Sequence, residues 1–219
     1  MNIRVTESKQ SNRNMTLLGR LLFLLALPML FNCTAGELSK EELHQYILDE
    51  SAGLYKSAEM KGTKVEVTYW PTDLLVEQET GNTVSSAIVD SLRKKYNRYY
   101  YFTVSLSHNN KEALHQSNDR EYRDLVQTMA FRMHKFVKLT TAQRDTIPLA
   151  DYILDRTYGT TGSTSLLFAF NNEKAQGSDW VQFNLNEFGL HVGNQRFRFE
   201  TDALNKTPNL KFNQAPNGE

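Results

Sequence analysis

Histidines, thiols, hydroxyls beside glycine and paired carboxylates are the residues from which a site would be built, so their spacing comes first. The histidines are His44, His108, His115, His134 and His191. A side-chain zinc site needs three or four ligands at recognisable spacing, usually with thiolates or an H-E-x-x-H helix. These five form no such set. His108 and His115 stand seven apart across a turn-rich loop, which offers a pair at most. For acyl transfer a serine needs a base within reach and an oxyanion partner. The nearest glycine–hydroxyl cluster is Gly159-Thr-Thr-Gly162-Ser163-Thr-Ser165. It lacks both the G-x-S-x-G elbow and the lysine of a phosphate loop, and it precedes a strand, so it reads as a hairpin loop. Among carboxylates, Glu41 and Glu42 suit the start of a helix. Asp151 and Asp155 flank Tyr152-Ile153-Leu154 and suit a strand's polar face. Glycosidases use two carboxylates at a fixed distance in space, which sequence adjacency does not set. No catalytic residue, metal ligand or cofactor site is expected.

Trp70, Tyr99, Tyr101 and Trp180 have a possible binding sense. On an exposed sheet face they would form an aromatic platform for a sugar or a partner protein. The same side chains also pack cores, with an apolar body and a polar tip, and packing is the favoured role.

Cys33 is the only cysteine. It has no partner for an internal disulfide, and in an oxidising compartment a free thiol would be a liability. Its position explains it better. Arg20 is followed by LLFLLALPMLF at 21–31, eleven apolar residues without a charge. A spanning helix needs about 20, whereas a secretory signal's apolar region runs about 7–15 after basic residues. Pro28 would also interrupt a spanning helix. Leu30-Phe31-Asn32-Cys33 resembles the lipobox of lipoprotein signal peptidase, which implies cleavage before Cys33 and diacylglycerol on its sulfur. Phe31 and Asn32 are bulkier than that pattern prefers, so a plain signal peptide or a short uncleaved anchor stays open. Each buried methylene contributes about 0.8 kcal/mol, and two or more chains anchor stably where one does not. No aspartate follows Cys33, so the resemblance implies the outer membrane in a two-membrane bacterium, with the face left open. Residues 1–14 are polar and aperiodic, and Met15 offers a second start.

The charges balance at 25 basic and 25 acidic residues. Residues 1–32 hold Arg4, Lys9, Arg13 and Arg20 against Glu7, which leaves 21 basic and 24 acidic from Cys33 onward. Nucleic-acid binding draws on a basic excess to neutralise phosphates. A chain with a net negative mature part has none, so polynucleotide partners are not expected.

The elements that would position any site follow from periodicity. Ser39 with Glu42 forms a capping box, and Leu43, Tyr46 and Ile47 share a face, predicting a helix at 40–49. Val65, Val67 and Tyr69 alternate in the second arm of a hairpin turning near Gly62. Pro71 suits the first turn of a short helix at 71–79. A third helix is expected at 84–97, with Arg93, Lys94 and Lys95 outward. Tyr100, Phe102, Val104 and Leu106 mark the strongest strand. Asn118 with Glu121 opens a helix at 119–138, and strands are expected at 146–155, 165–170, 179–185 and 195–200. From Asn205 the tail is expected to fray. The sum is a single α+β domain at 39–204, a mostly antiparallel sheet with helices packed against it, after a signal at 1–32 and a lipidated linker at 33–38.

The order of short motifs resembles a group of Bacteroidota envelope lipoproteins. The carrying residues are Tyr46-Ile-Leu-Asp-Glu-Ser-Ala-Gly-Leu-Tyr-Lys56, Val65-Glu-Val-Thr-Tyr-Trp-Pro-Thr-Asp-Leu-Leu75, Ile147-Pro-Leu149 and Leu185-Asn-Glu-Phe-Gly-Leu190. Ala52 stands where the group is expected to carry asparagine. The resemblance implies an envelope lipoprotein and no activity. The expectation is therefore a membrane-tethered, non-catalytic domain binding a protein or envelope component. An envelope hydrolase acting on glycan or peptide, and a glycan or small-molecule binder, remain its alternatives.

Overall fold

The computed structural model of the protein describes residues 36–116, 119–155 and 162–214. The leader, the lipobox-like residues Leu30, Phe31 and Asn32, Cys33 itself and the Asn118 cap lie outside the described residues. Within them the chain is an α+β domain with two main antiparallel sheets and one short parallel strand pair.

Local chemistry accounts for the first elements. Helix α1 spans Lys40–Leu48, and its capping box closes in both directions: Glu42 N–H donates to Ser39 Oγ, and Ser39 N–H to Glu42 Oε2 at 2.8 Å. It buries Leu43 and Ile47. Strands β1 (Tyr55–Met60) and β2 (Thr63–Trp70) pair with Met60 opposite Thr63, leaving Lys61 and Gly62 as a two-residue turn. Both have positive φ, 51° and 77°, the primed geometry that matches strand twist. Helix α2 spans Thr72–Thr80 with Pro71 at its cap position, followed by the short strand β3 (Thr83–Val84). Helix α3 spans Ser86–Tyr96.

Strand β4 (Tyr99–His108) is the centre of the larger sheet, between β2 and β9 (Thr164–Asn171), with β1 and β8 (Leu149–Asp155) at the edges. The two-residue β5 (Lys111–Glu112) pairs back on β4. As the alternation demanded, Tyr100, Phe102, Val104 and Leu106 are all buried. The second sheet runs in the order β11 (Gln195–Glu200), β10 (Trp180–Leu185), β6 (Val137–Thr141), β7 (Thr146–Ile147). The inner faces meet in phenylalanines: Phe102 lies 5.0 Å from Phe199 and 5.6 Å from Phe183 between ring centroids, and Phe168 lies 5.8 Å from Phe183. Burying such rings is the main stabilisation, about 1.5–3 kcal/mol each by transfer.

Two expected elements are corrected. The helix expected at 119–138 is α4, Asp119–Phe131, followed by a single 3-10 turn at Met133–Lys135 and then β6. Met133 and Val137 are both buried, but in different elements. Val137, Leu139 and Thr141 alternate inward, and pairing with β10 outweighs the helical spacing that the same residues also satisfy. The strand expected at 146–155 breaks at Pro148, which cannot donate to a ladder, so β7 and β8 join different sheets.

The fraying expected from Asn205 does not occur through residue 214. After helix α5 (Thr201–Asn205) the chain crosses back over the domain. Leu210 is 1% exposed and bridges Leu38 in parallel, and β12 (Asn213–Gln214) pairs with β3. Phe212 packs against a small cluster of Val76, Val84 and Val89. Hydrogen bonds and burial hold this strap, where composition alone gave turn residues.

Candidate functional site

Where β2 leaves the larger sheet and β4 enters it, the chain leaves a cleft of about 270 Å³. That is near the lower edge of the ~300–1,000 Å³ typical of ligand pockets. Its walls come from three stretches far apart in sequence: Tyr69 to Asp73, Arg93 to Tyr99, and Leu204 to Asn209.

Asp73 organises the cleft. It is 5% exposed. Arg93 donates from Nε to Oδ1 at 2.7 Å and from Nη2 to Oδ2 at 2.6 Å, a bidentate pair. Oδ2 also accepts the N–H of Leu210 at 2.8 Å. One carboxylate thus ties α2, α3 and the strap together. Hydrogen bonding to Asp73 raises the Arg93 guanidinium further above its ordinary value. Arg93 was expected on an outward helix position. Its side chain instead turns inward to Asp73 and crosses the ring of Phe212.

Tyr69 forms a deep wall and is 7% exposed. Burial, with the neighbouring Tyr100 and Tyr101, pushes its phenol well above the ordinary value, and no hydrogen bond contributes. The hydroxyl is therefore a protonated donor with no bonded partner among the described residues. Tyr100, on the adjacent strand, donates to Asn205 Oδ1 at 3.1 Å and so fixes the amide of that cleft residue. Thr207 is oriented by its hydroxyl's bonds to Ala203 O and Leu204 O at 3.1 and 3.0 Å. The walls are preset by the fold.

The four aromatics singled out from sequence do not form one platform. Trp70 is half-buried, 5.7 Å from the ring of His44 on α1. Trp180 lies in the other sheet with the Arg198 guanidinium 4.0 Å over its ring. Tyr101 is 7% exposed, and burial pushes its phenol up to about 12. Tyr99 alone of the four lines the cleft, half-exposed and 6.1 Å from Tyr101. Tyr69, Asp73 and Arg93 were not singled out. The local signal for Asp73 is a carboxylate in the first turn of a helix beside buried Leu74, which helix-end preference explains equally well.

The other candidates are dispersed. His108 Nδ1 bonds Thr63 Oγ1 at 2.9 Å beside the β1–β2 turn. The side chain of His115 lies outside the described residues. Ser163 and Ser165 bond Ser105 at 2.9 and 3.3 Å on the outer sheet face, while residues 159–161 are outside the described residues. Asp151 and Asp155 are exposed on β8. Among the described residues no group of three or more His, Cys, Asp or Glu gathers to hold a metal, and no helix is long and apolar enough to cross a membrane.

Fold and cleft together define a two-sheet α+β domain with a polar, internally neutralised cavity at one sheet end. No family model matches the chain, and no curated protein or solved structure matches it.

Proposed function

We propose that this chain is a lipid-anchored envelope protein whose folded domain binds an envelope component in the Asp73–Arg93 cleft without altering it chemically. Anchoring rests on the leader and Cys33: a short apolar run, a lipobox-like ending and a single thiol at that ending. The binding reading is carried by one observation, a preset cleft walled by the largely buried Tyr69, whose hydroxyl has no hydrogen-bond partner among the described residues. A general base needs a free lone pair within reach of the proton it takes. Asp73 spends three of its roughly four acceptor sites on Arg93 and Leu210 N–H and is buried between them, a structural role that favours binding over hydrolysis. The expected partner is therefore the membrane through lipid, plus a component of the envelope held in the cleft.

Two experiments test this. In a two-membrane bacterium, metabolic palmitate should label the full chain, and Cys33→Ser should abolish the label and release the protein from membranes. Labelling that survives the substitution refutes the anchor. For binding, purified Cys33→Ser protein should retain a component of an envelope extract, and Asn209→Trp, which fills the cleft mouth, should lose it. A component consumed and released as product would replace this reading with an envelope hydrolase.

A further inference from the structure

The cleft's chemistry also narrows the class of ligand, an inference that rests on the binding reading above. The lining contains one anion and one cation, Asp73 and Arg93, and they are bonded to each other. A charged ligand entering would find no free countercharge and would lose its hydration, a large cost in a partly buried site. A neutral ligand meets no such penalty.

What the walls offer is a mixture of oriented polar groups and small apolar surfaces. The Tyr69 hydroxyl is a buried donor and acceptor with its capacity unspent. Asn205 has its Oδ1 bound by Tyr100, which leaves both N–H donors of its amide. Asn97 and Asn209 add exposed amides at the rim. The ring of Tyr99 lies tilted 6.1 Å from that of Tyr101, which Tyr96 in turn meets edge-on at 6.3 Å. Tyr99 lines the cleft together with Pro71 and Pro208. A pyranose has the complementary surface, hydroxyls around its edge that both donate and accept, and a patch of C–H groups on its face. A cavity of about 270 Å³ is of the size for one or two sugar rings.

We infer that the cleft binds a neutral saccharide, with Tyr69 and Asn205 bonding its hydroxyls and Tyr99 beside it in the wall. Binding is little affected by salt, because no net charge is neutralised.

The test uses the full chain as Cys33→Ser, titrated by calorimetry at low and high salt. One set of probes is neutral: glucose, galactose, mannose, N-acetylglucosamine and their disaccharides. The other is anionic: glucuronic acid, galacturonic acid and glucose 6-phosphate. At least one neutral probe should bind saturably and independently of salt, and Asn209→Trp should abolish it. Tyr69→Phe, which removes only the hydroxyl, should weaken it about two- to tenfold, the range of one neutral hydrogen bond, with an unchanged melting temperature. Three results overturn the inference. If anionic probes bind in a salt-dependent manner and neutral ones do not, the ligand class is wrong while the cleft reading stands. The same holds if no sugar binds yet Asn209→Trp still removes the retained extract component. If no sugar binds and Asn209→Trp changes nothing, inference and cleft reading fail together.

Discussion

Replacing Asp73 by Asn keeps the side chain's shape and removes its charge, which isolates the link on which the strap depends. In the native domain the carboxylate accepts two bonds from Arg93, at 2.7 and 2.6 Å, and one from Leu210 N–H at 2.8 Å. An amide accepts at one end only. Its NH₂ faces Arg93 Nε in one orientation and both Arg93 Nη2 and Leu210 N–H in the other, donor against donor. Breaking a fully buried pair from one side costs about 3–5 kcal/mol, because the remaining charge is stranded. The Arg93 side chain is 24% exposed and so keeps part of its hydration, which places the cost near the low end, about 3 kcal/mol. For a domain of this size each kcal/mol moves the melting temperature by about 2–4 °C, so Asp73→Asn should lower it by about 6–12 °C. Loss should be concentrated in the strap: amide exchange at Leu210 and Lys211, whose N–H groups bond Asp73 and Leu38, should accelerate more than in β4. Adding Arg93→Met to Asp73→Asn removes the stranded charge and should recover at least about 1 kcal/mol in a double-mutant cycle. A melting change under about 1 °C, or strictly additive mutations, would refute the claim that this pair holds the strap.

The remaining predictions concern the core, pH and the anchor. Phe102→Ala empties the contact between the sheets, where Phe102 meets Phe170, Phe183, Phe199 and Tyr69, and should cost about 3–5 kcal/mol, read as a fall in urea midpoint at unchanged slope. A changed slope instead would mean that the compactness of a state had altered. At Glu187, burial pulls the carboxyl upward, but the backbone N–H groups of Gly189, Gly193, His191 and Phe188 together outweigh it and hold it below its ordinary value. A depressed carboxylate stabilises the fold above its unfolded value, about pH 4.3, and that stability is lost as pH falls through the folded value. Glu187→Gln should therefore melt lower than the native chain at pH 7, with the gap closing as pH drops towards 3; a gap independent of pH would remove the carboxylate from the account. The palmitate label on Cys33 and the saccharide titration of the cleft stand as set out above.

Much of the architecture could be read from neighbouring residues. The Ser39–Glu42 box, the turn at Lys61-Gly62 and the alternation of Val65, Val67 and Tyr69 or of Tyr100 to Leu106 are short-range facts. Each is settled within about four to eight positions by capping, turn geometry or period. Sequence misled where two local readings were satisfied at once. Met133 and Val137 fit one helical stripe, yet Val137 also begins an alternating run, and only its partner strand β10 breaks the tie.

By itself the sequence determined the α+β class, the capped first helix and the principal strands, because periodicity and composition act locally. The cleft belongs to the tertiary structure alone. Asp73 and Leu210 stand 137 positions apart, Asp73 and Arg93 stand 20 apart, and Tyr100 reaches Asn205 across 105. Along the chain Asp73 is a helix-start acid, Arg93 a helix-end base and Asn205 a turn residue, each explained by its neighbours. Only when the strap crosses back over α2 and α3 does burial withdraw water from Asp73 and oblige it to bond Arg93 and Leu210 N–H.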